Sequence, residues 1–150
     1  MADVEALINE VRSLDGVESI AVCTLFSFLN PTHEQLIAKA LRNAFPGVFV
    51  SVSSDVQPEF REYERFSTTV INAFLQPEVS RYMDKLSRAL GNVAPNAKLG
   101  IFQSSGGLMS VGKATEFPVR TALSGPAAGA VGAAAAGAAS GISDLSLIHI

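Results

Sequence analysis

From Ala127 to Ala139 every residue except Val131 is alanine or glycine. Alanine favours a helix, and a helix built this way has no charge and almost no side chain, so its flank carries no chemistry of its own. Gly129, Gly132 and Ala136 recur at i, i+3 and i+7, which gathers the smallest residues on one face. Each glycine weakens a helix by roughly 0.5–1 kcal/mol relative to alanine, so the spacing predicts close backbone approach by a neighbour along that flank. The helix is expected to start near Pro126, with Ser124 as its cap and the amides of Gly125 and Ala127 free to face an anion.

Two apolar runs lead towards this helix. Leu99 to Phe102 ends in Gln103, Ser104, Ser105, Gly106 and Gly107, and Val119 to Leu123 ends in Ser124-Gly125-Pro126. Both runs read as strands with polar tips, the usual place for a ligand in an α/β protein. Upstream, Val4, Leu7, Ile8, Val11 and Leu14 predict an amphipathic helix over 3–14. Ser19 to Leu25 reads as a strand covered on both faces. Thr32 and Gln35 have the spacing of a capping box, and Leu36, Ile37, Ala40, Leu41, Ala44 and Phe45 supply the buried stripe of the helix that follows. Val48 to Val52 completes a strand-helix-strand unit, so the fold class is α/β.

Residues 53–65 change character. Pro58 suits the first turn of a helix, and Arg61, Glu62 and Arg65 are either a solvated charged face or contacts to an anion or substrate in a cleft. Val70, Ile71, Phe74 and Leu75 form a further apolar stripe, Pro77 permits a kink or restart, and Val79, Tyr82, Met83, Leu86 and Leu90 continue it to Gly91.

Composition limits what such a chain does. With 48% hydrophobic and 17% charged residues among 150, it is long and apolar enough for one domain and is not disordered. No stretch offers the ~18–20 strongly apolar residues of a bilayer span, and the acidic start lacks a secretory signal, so a cytoplasmic protein is expected. A net charge of −3 without a basic cluster argues against a nucleic-acid or anionic-membrane partner. Cys23 lies in an apolar run and is expected to be an inert buried thiol. His33 and His149 form no metal cluster or catalytic triad, and neither a P-loop nor GxGxxG occurs.

The motifs carry the reading further. NPTHE at 30–34, VSVSSDVQPEFREYERFSTTVINAFLQP at 50–77, QSSGGLMS at 103–110 and PVRTALSGPAAGAVGA at 118–133 together resemble the hydantoinase A / 5-oxoprolinase family over about residues 1–142. The resemblance implies the end of that family's N-terminal region at 1–65, the start of its core domain at 66–142, and a non-native tail at 143–150. It implies a fragment of an actin-like ATPase fold, with the small-residue helix as a connecting helix and the glycine-rich phosphate loops outside the chain. ATP and Mg²⁺ are the implied cofactors, a hydantoin or 5-oxoproline-type cyclic amide the implied substrate, and a hydantoinase B-type subunit the implied partner. An acetone or acetophenone carboxylase subunit is the alternative reaction, and a non-catalytic interaction domain the alternative role. Where the family commonly has QSNGG, this chain has Gln103-Ser104-Ser105-Gly106-Gly107, a hydroxyl replacing an amide at the third position. The expected cleft positions are Gln103, Ser104, Ser105, Gly106, Gly107, Ser124 and Gly125, with Arg61, Glu62 and Arg65 behind them and no metal ligand among them.

Overall fold

The computed structural model describes residues 2–146, so His149 and the end of the expected tail lie outside the described residues. The chain divides into two compact units, one up to Tyr82 and one from Met83. No described helix is long and apolar enough to cross a membrane.

In the first unit α1 (Ala2–Arg12) precedes β1 (Ser19–Val22), α2 (Thr32–Ala44) and β2 (Phe49–Val52). The strands pair in parallel, Ser19 opposite Phe49 and Val22 opposite Val52, as the strand-helix-strand reading expects. Val22, Ala38, Leu41, Val50 and Val52 form the core, with Ile8, Ile20, Ile37 and Phe45 packed against it. β1 stops short of the expected Leu25. The Thr24 amide is bonded to the Glu34 carboxylate and the Thr24 carbonyl to Arg65, so side chains take the backbone groups that a longer strand would use.

The expected capping box does not form. Asn30 Oδ1 accepts from the Thr32 amide at 3.1 Å, while Gln35 Nε2 reaches Asp55 Oδ1 at 3.1 Å. The expected stripe of α2 holds at Ile37, Leu41 and Phe45, but Glu34 and Ala38 are also buried and Leu36 is 60% exposed. Hydropathy alone placed Leu36 inside, but the bonds made by Glu34 set which face meets the strands.

A single turn, α3 (Ser53–Val56), follows β2, and Pro58 lies in the irregular stretch before α4 (Glu62–Val93). α4 continues through Pro77 with no break, contrary to a restart there. Its expected stripe is split: Met83 is buried and Leu75, Val79, Leu86 and Leu90 are half-buried, but Val70, Ile71, Phe74 and Tyr82 are exposed, while Arg65, Thr69, Asn72 and Gln76 are buried. The polar face is held by β2, where Asn72 Nδ2 donates to Ser51 Oγ at 3.0 Å and Ser51 Oγ donates to Gln76 Oε1 at 2.8 Å.

In the second unit β3 (Gly100–Phe102) and β4 (Leu108–Ser110) form an antiparallel hairpin, Ile101 opposite Met109. Ser110 caps α5 (Val111–Glu116), accepting from the Lys113 amide. Ala114, Phe117 and Pro118 are buried. The second expected strand, Val119 to Leu123, is instead a 3₁₀ turn over Pro118–Thr121 followed by Leu123 at φ +59°. Pro118 fixes its own φ and lacks an amide hydrogen, which suits the first position of a helical turn and not a strand interior. Thr121 Oγ1 closes the turn onto the Pro118 carbonyl at 2.7 Å.

The small-residue helix is α6 (Ser124–Ala139). Its N-cap is Leu123, without a side-chain cap bond, so Ser124 is the first helical residue and not the cap. A Cβ added at Gly129 or Gly132 would meet nothing within 4 Å, so the expected close approach is absent on that face among the described residues. It occurs instead at buried Gly137, where a Cβ would collide with Leu145.

Two substitutions separate the faces of α2. Leu41→Ala should cost about 2–5 kcal/mol in urea unfolding, whereas Leu36→Ala should stay within about 0.5 kcal/mol of the parent. Equal costs would contradict the observed orientation.

Candidate functional site

The densest polar constellation of the first unit lies at the carboxyl ends of β1 and β2, where open α/β sheets hold their ligands. Glu34 projects there from α2 and is fully buried. Its Oε1 accepts from the Thr24 amide at 2.7 Å and the Ser53 hydroxyl at 2.6 Å, and its Oε2 from the Ser54 amide at 2.9 Å. One carboxylate thus ties together the residues that follow both strands.

Arg65, from the first turns of α4, is equally buried. Its Nε donates to Ser53 Oγ at 3.2 Å, and its terminal nitrogens donate to the carbonyls of Glu59 at 2.7 Å and Thr24 at 3.0 Å and pair with Glu62. Because the Ser53 proton goes to Glu34, Ser53 Oγ accepts from both Arg65 and Ser27 Oγ, the latter at 3.0 Å, and both its lone pairs are used. The rings of Phe28 and Phe66 lie 5.5 and 5.3 Å from the guanidinium carbon. Glu62 also accepts from the Phe26 amide at 3.1 Å, holding a loop in which Phe26 has φ +56°.

The structure therefore brings Glu62 and Arg65 together but leaves Arg61 outside, exposed and 3.4 Å from Glu64. Every nitrogen of the Arg65 guanidinium is engaged internally, and the side chain holds the carbonyls of Thr24 and Glu59 in place. Sequence reasoning quoted Glu34 within a motif yet missed its role, and missed Ser53. The available signal was Glu34 in helical step with Ala38 and Leu41. Cys23, at the end of β1, is half-buried, and burial together with the nearby Glu34 charge raises its thiol above the ordinary value, which suits an inert thiol.

In the second unit, Gln103, Ser104, Ser105, Gly106 and Gly107 form the tip of the β3–β4 hairpin. Gly106 and Gly107 take φ +87° and +78°, which side-chain-bearing residues rarely adopt, and this accounts for the paired glycines. The Gln103 amide donates to the Gly107 carbonyl at 3.2 Å and the Gly106 amide to the Gln103 carbonyl at 3.0 Å. Ser104 ties the tip to the 3₁₀ turn through its amide and hydroxyl, both donating to the Arg120 carbonyl at 2.8 and 3.1 Å. The loop is thus pre-shaped by its own backbone, with Ser105 exposed and Gln103 half-buried. Ser124 and Gly125 begin α6 a few residues beyond Arg120, and α6 lies against β3. The Arg120 guanidinium and the Lys113 ammonium lie 4.4 and 4.9 Å from the centre of the Phe117 ring, two cations that the sequence reading passed over.

The electrostatics of Glu34 give a test. Burial opposes its ionisation, but the Ser53 hydroxyl and the Ser54 and Thr24 amides outweigh burial and hold its carboxyl below the ordinary value of 4.5. A depressed folded-state value means that the stabilisation is present above the unfolded-state value and is lost as pH falls through the folded-state one. Glu34→Gln should therefore flatten the acid limb of a stability-against-pH profile and cost about 1–3 kcal/mol at neutral pH. An acid limb unchanged in the variant would contradict the assignment.

Comparison with known proteins places these features. The pattern of the Hydantoinase/oxoprolinase family matches residues 65–148, and that of its N-terminal region matches residues 1–45. Caprolactamase subunit alpha of Pseudomonas jessenii is 36% identical over 126 residues, covering 84% of this chain and 18% of the relative. The crystal structure of the ATP-dependent caprolactamase from that organism superposes with a TM-score of 0.83 at 34% identity, over 94% of this chain and 20% of the other. 5-Oxoprolinase of Saccharomyces cerevisiae is 33% identical over 83% of this chain and 9% of its own. A nucleotide-free acetone carboxylase structure superposes with a TM-score of 0.73 at 25% identity, over 92% of this chain and 20% of the other. The chain spans a fifth or less of the length of each of these proteins. With more than half of its residues matched by the core pattern, the chain belongs to the hydantoinase/oxoprolinase family.

Proposed function

We propose that this chain is part of an ATP-dependent enzyme that opens a cyclic amide, a lactam or a ring of the hydantoin or 5-oxoproline type. The observation that carries the reading is the likeness to the caprolactamase, whose name specifies both the ATP requirement and a lactam. The corresponding fold proposal is a portion of an actin-like ATPase, with residues 1–65 closing the N-terminal region and 66–142 opening the core domain. A second, B-type subunit and a cytoplasmic location complete the proposal.

When bound, ATP supplies a phosphoryl group that makes the amide oxygen a good leaving group, and Mg²⁺ shields its phosphates. Among the described residues no group of three or more His, Cys, Asp or Glu side chains is placed to hold a metal, so no residue of this chain is assigned to Mg²⁺. A cyclic amide presents a carbonyl and an N–H on adjacent atoms. The Gln103 carboxamide offers the matching donor and acceptor, and the Ser105 hydroxyl offers one of each. Gly106 and Gly107 let the backbone approach closely, Ser104 holds the tip to Arg120, and Ser124 with Gly125 form the adjoining helix start. Arg65 and Glu62 serve as positioning residues for the loops after β1 and β2, and Arg61 is the exposed cation beside them.

The second reading is a ketone carboxylase subunit, supported by the likeness to acetone carboxylase, which is the weaker of the two structural likenesses. Both readings are tested by measuring ATP hydrolysis by the full-length protein with caprolactam, hydantoin, 5-oxoproline and acetone. Stimulation by a cyclic amide is expected, and stimulation by acetone alone would move the assignment to the carboxylases. In the same assay Gln103→Ala should lower kcat about ten- to a hundredfold, the ~1.4–2.7 kcal/mol of one or two hydrogen bonds, with little change in Tm. An unchanged kcat would remove Gln103 from the site.

A further inference from the structure

The outward face of α4 carries Tyr63, Phe66, Val70, Ile71 and Phe74 in helical step, with Ser67 among them. Tyr63 is 81% and Phe74 78% exposed. Tyr63, Phe66, Ser67, Val70 and Ile71 line, with Glu62, an open groove of about 600 Å³ whose walls are almost wholly apolar, and Phe74 continues the stripe beyond it. Ordinary surface helices put such a stripe inside and their polar residues outside. Here the inner face is already occupied by the bonds of Arg65, Asn72 and Gln76, so rotating the helix to bury the aromatic side chains would orphan a charged group and two carboxamides. The orientation is fixed, and the apolar face lacks a cover among the described residues.

We infer that this face is the seat of an apolar segment from elsewhere in the same longer polypeptide, and not a subunit interface or a ligand pocket. Three observations support that occupant. The Hydantoinase/oxoprolinase pattern begins at residue 65, inside α4, while the inner face of that helix is bonded within the first unit. In the caprolactamase the equivalent of this chain is only 20% of a single polypeptide, which leaves ample chain to provide the cover. The stripe is also small. From Tyr63 to Phe74 it runs about 16 Å and offers on the order of a few hundred Å², short of the ~800 Å² per partner of a stable complex. Intramolecular packing avoids the entropy of association and so needs far less area. The neighbouring charges ask for no charged partner, because Glu62 pairs with Arg65, Arg61 with Glu64, and Glu78 with Arg81. The inference is independent of the reaction proposed above.

Hydroxyl-radical footprinting read by mass spectrometry tests it on the unmodified full-length polypeptide, diluted until light scattering reports a monomer. Oxidation of Tyr63, Phe66 and Phe74 should be slowed more than about fivefold relative to the same polypeptide unfolded in urea. Slowing below that threshold in the monomer would overturn the inference. Protection that arises only when copies associate, or only when a second subunit is added, would also overturn it by assigning the face to that partner. Added caprolactam, hydantoin or 5-oxoproline should leave the three rates unchanged, and protection that requires one of them would reassign the groove to a ligand.

Discussion

A buried carboxylate and a buried guanidinium, joined through one serine hydroxyl, hold the first unit in its arrangement. Neither Glu34 nor Arg65 is exposed, and removing such ions from water costs several kcal/mol each unless their bonding capacity is met. Here it is met largely by backbone: Glu34 takes the amides of Thr24 and Ser54, and Arg65 takes the carbonyls of Thr24 and Glu59. Thr24 lies just past β1, Ser54 lies in the turn that follows β2, and Glu59 lies in the stretch between α3 and α4. The cluster therefore does more than tolerate buried charge, because it closes the two strand ends with charge-assisted bonds stronger than neutral ones.

The orientation of the helices follows. α2 turns Glu34 inward at the expense of Leu36, and α4 turns Arg65, Asn72 and Gln76 inward at the expense of Phe74 and Val70. Polar pairing outranks hydropathy at these positions for an energetic reason. An exposed leucine or phenylalanine forgoes about 1.5–3 kcal/mol of burial, whereas an unpaired buried ion loses more. This exposed apolar surface lies on the helix within which the family pattern begins, and the relatives extend well beyond the region compared.

The second unit relies on backbone conformation in place of charge. Gly106 and Gly107 turn the hairpin through left-handed φ, Ser104 fastens it to the Arg120 carbonyl, and Leu123 takes a left-handed conformation just before α6. A loop fixed by main-chain bonds in this way has few backbone conformations left to lose.

Much of the architecture was legible in the residues. The parallel strand-helix-strand unit, the first helix, the small-residue helix and the polar glycine loop all follow from local patterns of period, punctuation and propensity. The motifs at 30–34, 50–77, 103–110 and 118–133 were sufficient for the family. What a local reading could not supply was which partner each residue meets. Thr32 and Gln35 have capping-box spacing, yet Asp55, twenty positions away, takes the Gln35 side chain. Val119 to Leu123 has the composition of a strand, but Pro118 and the turn it opens give the backbone another set of bonds. The sequence by itself determined the strand-helix-strand unit, the first helix and the small-residue helix, because helix and strand preferences act over a few residues. Only the tertiary structure decided the faces of α2 and α4 and the burial of Arg65, because those depend on bonds between residues as far apart as Thr24 and Arg65.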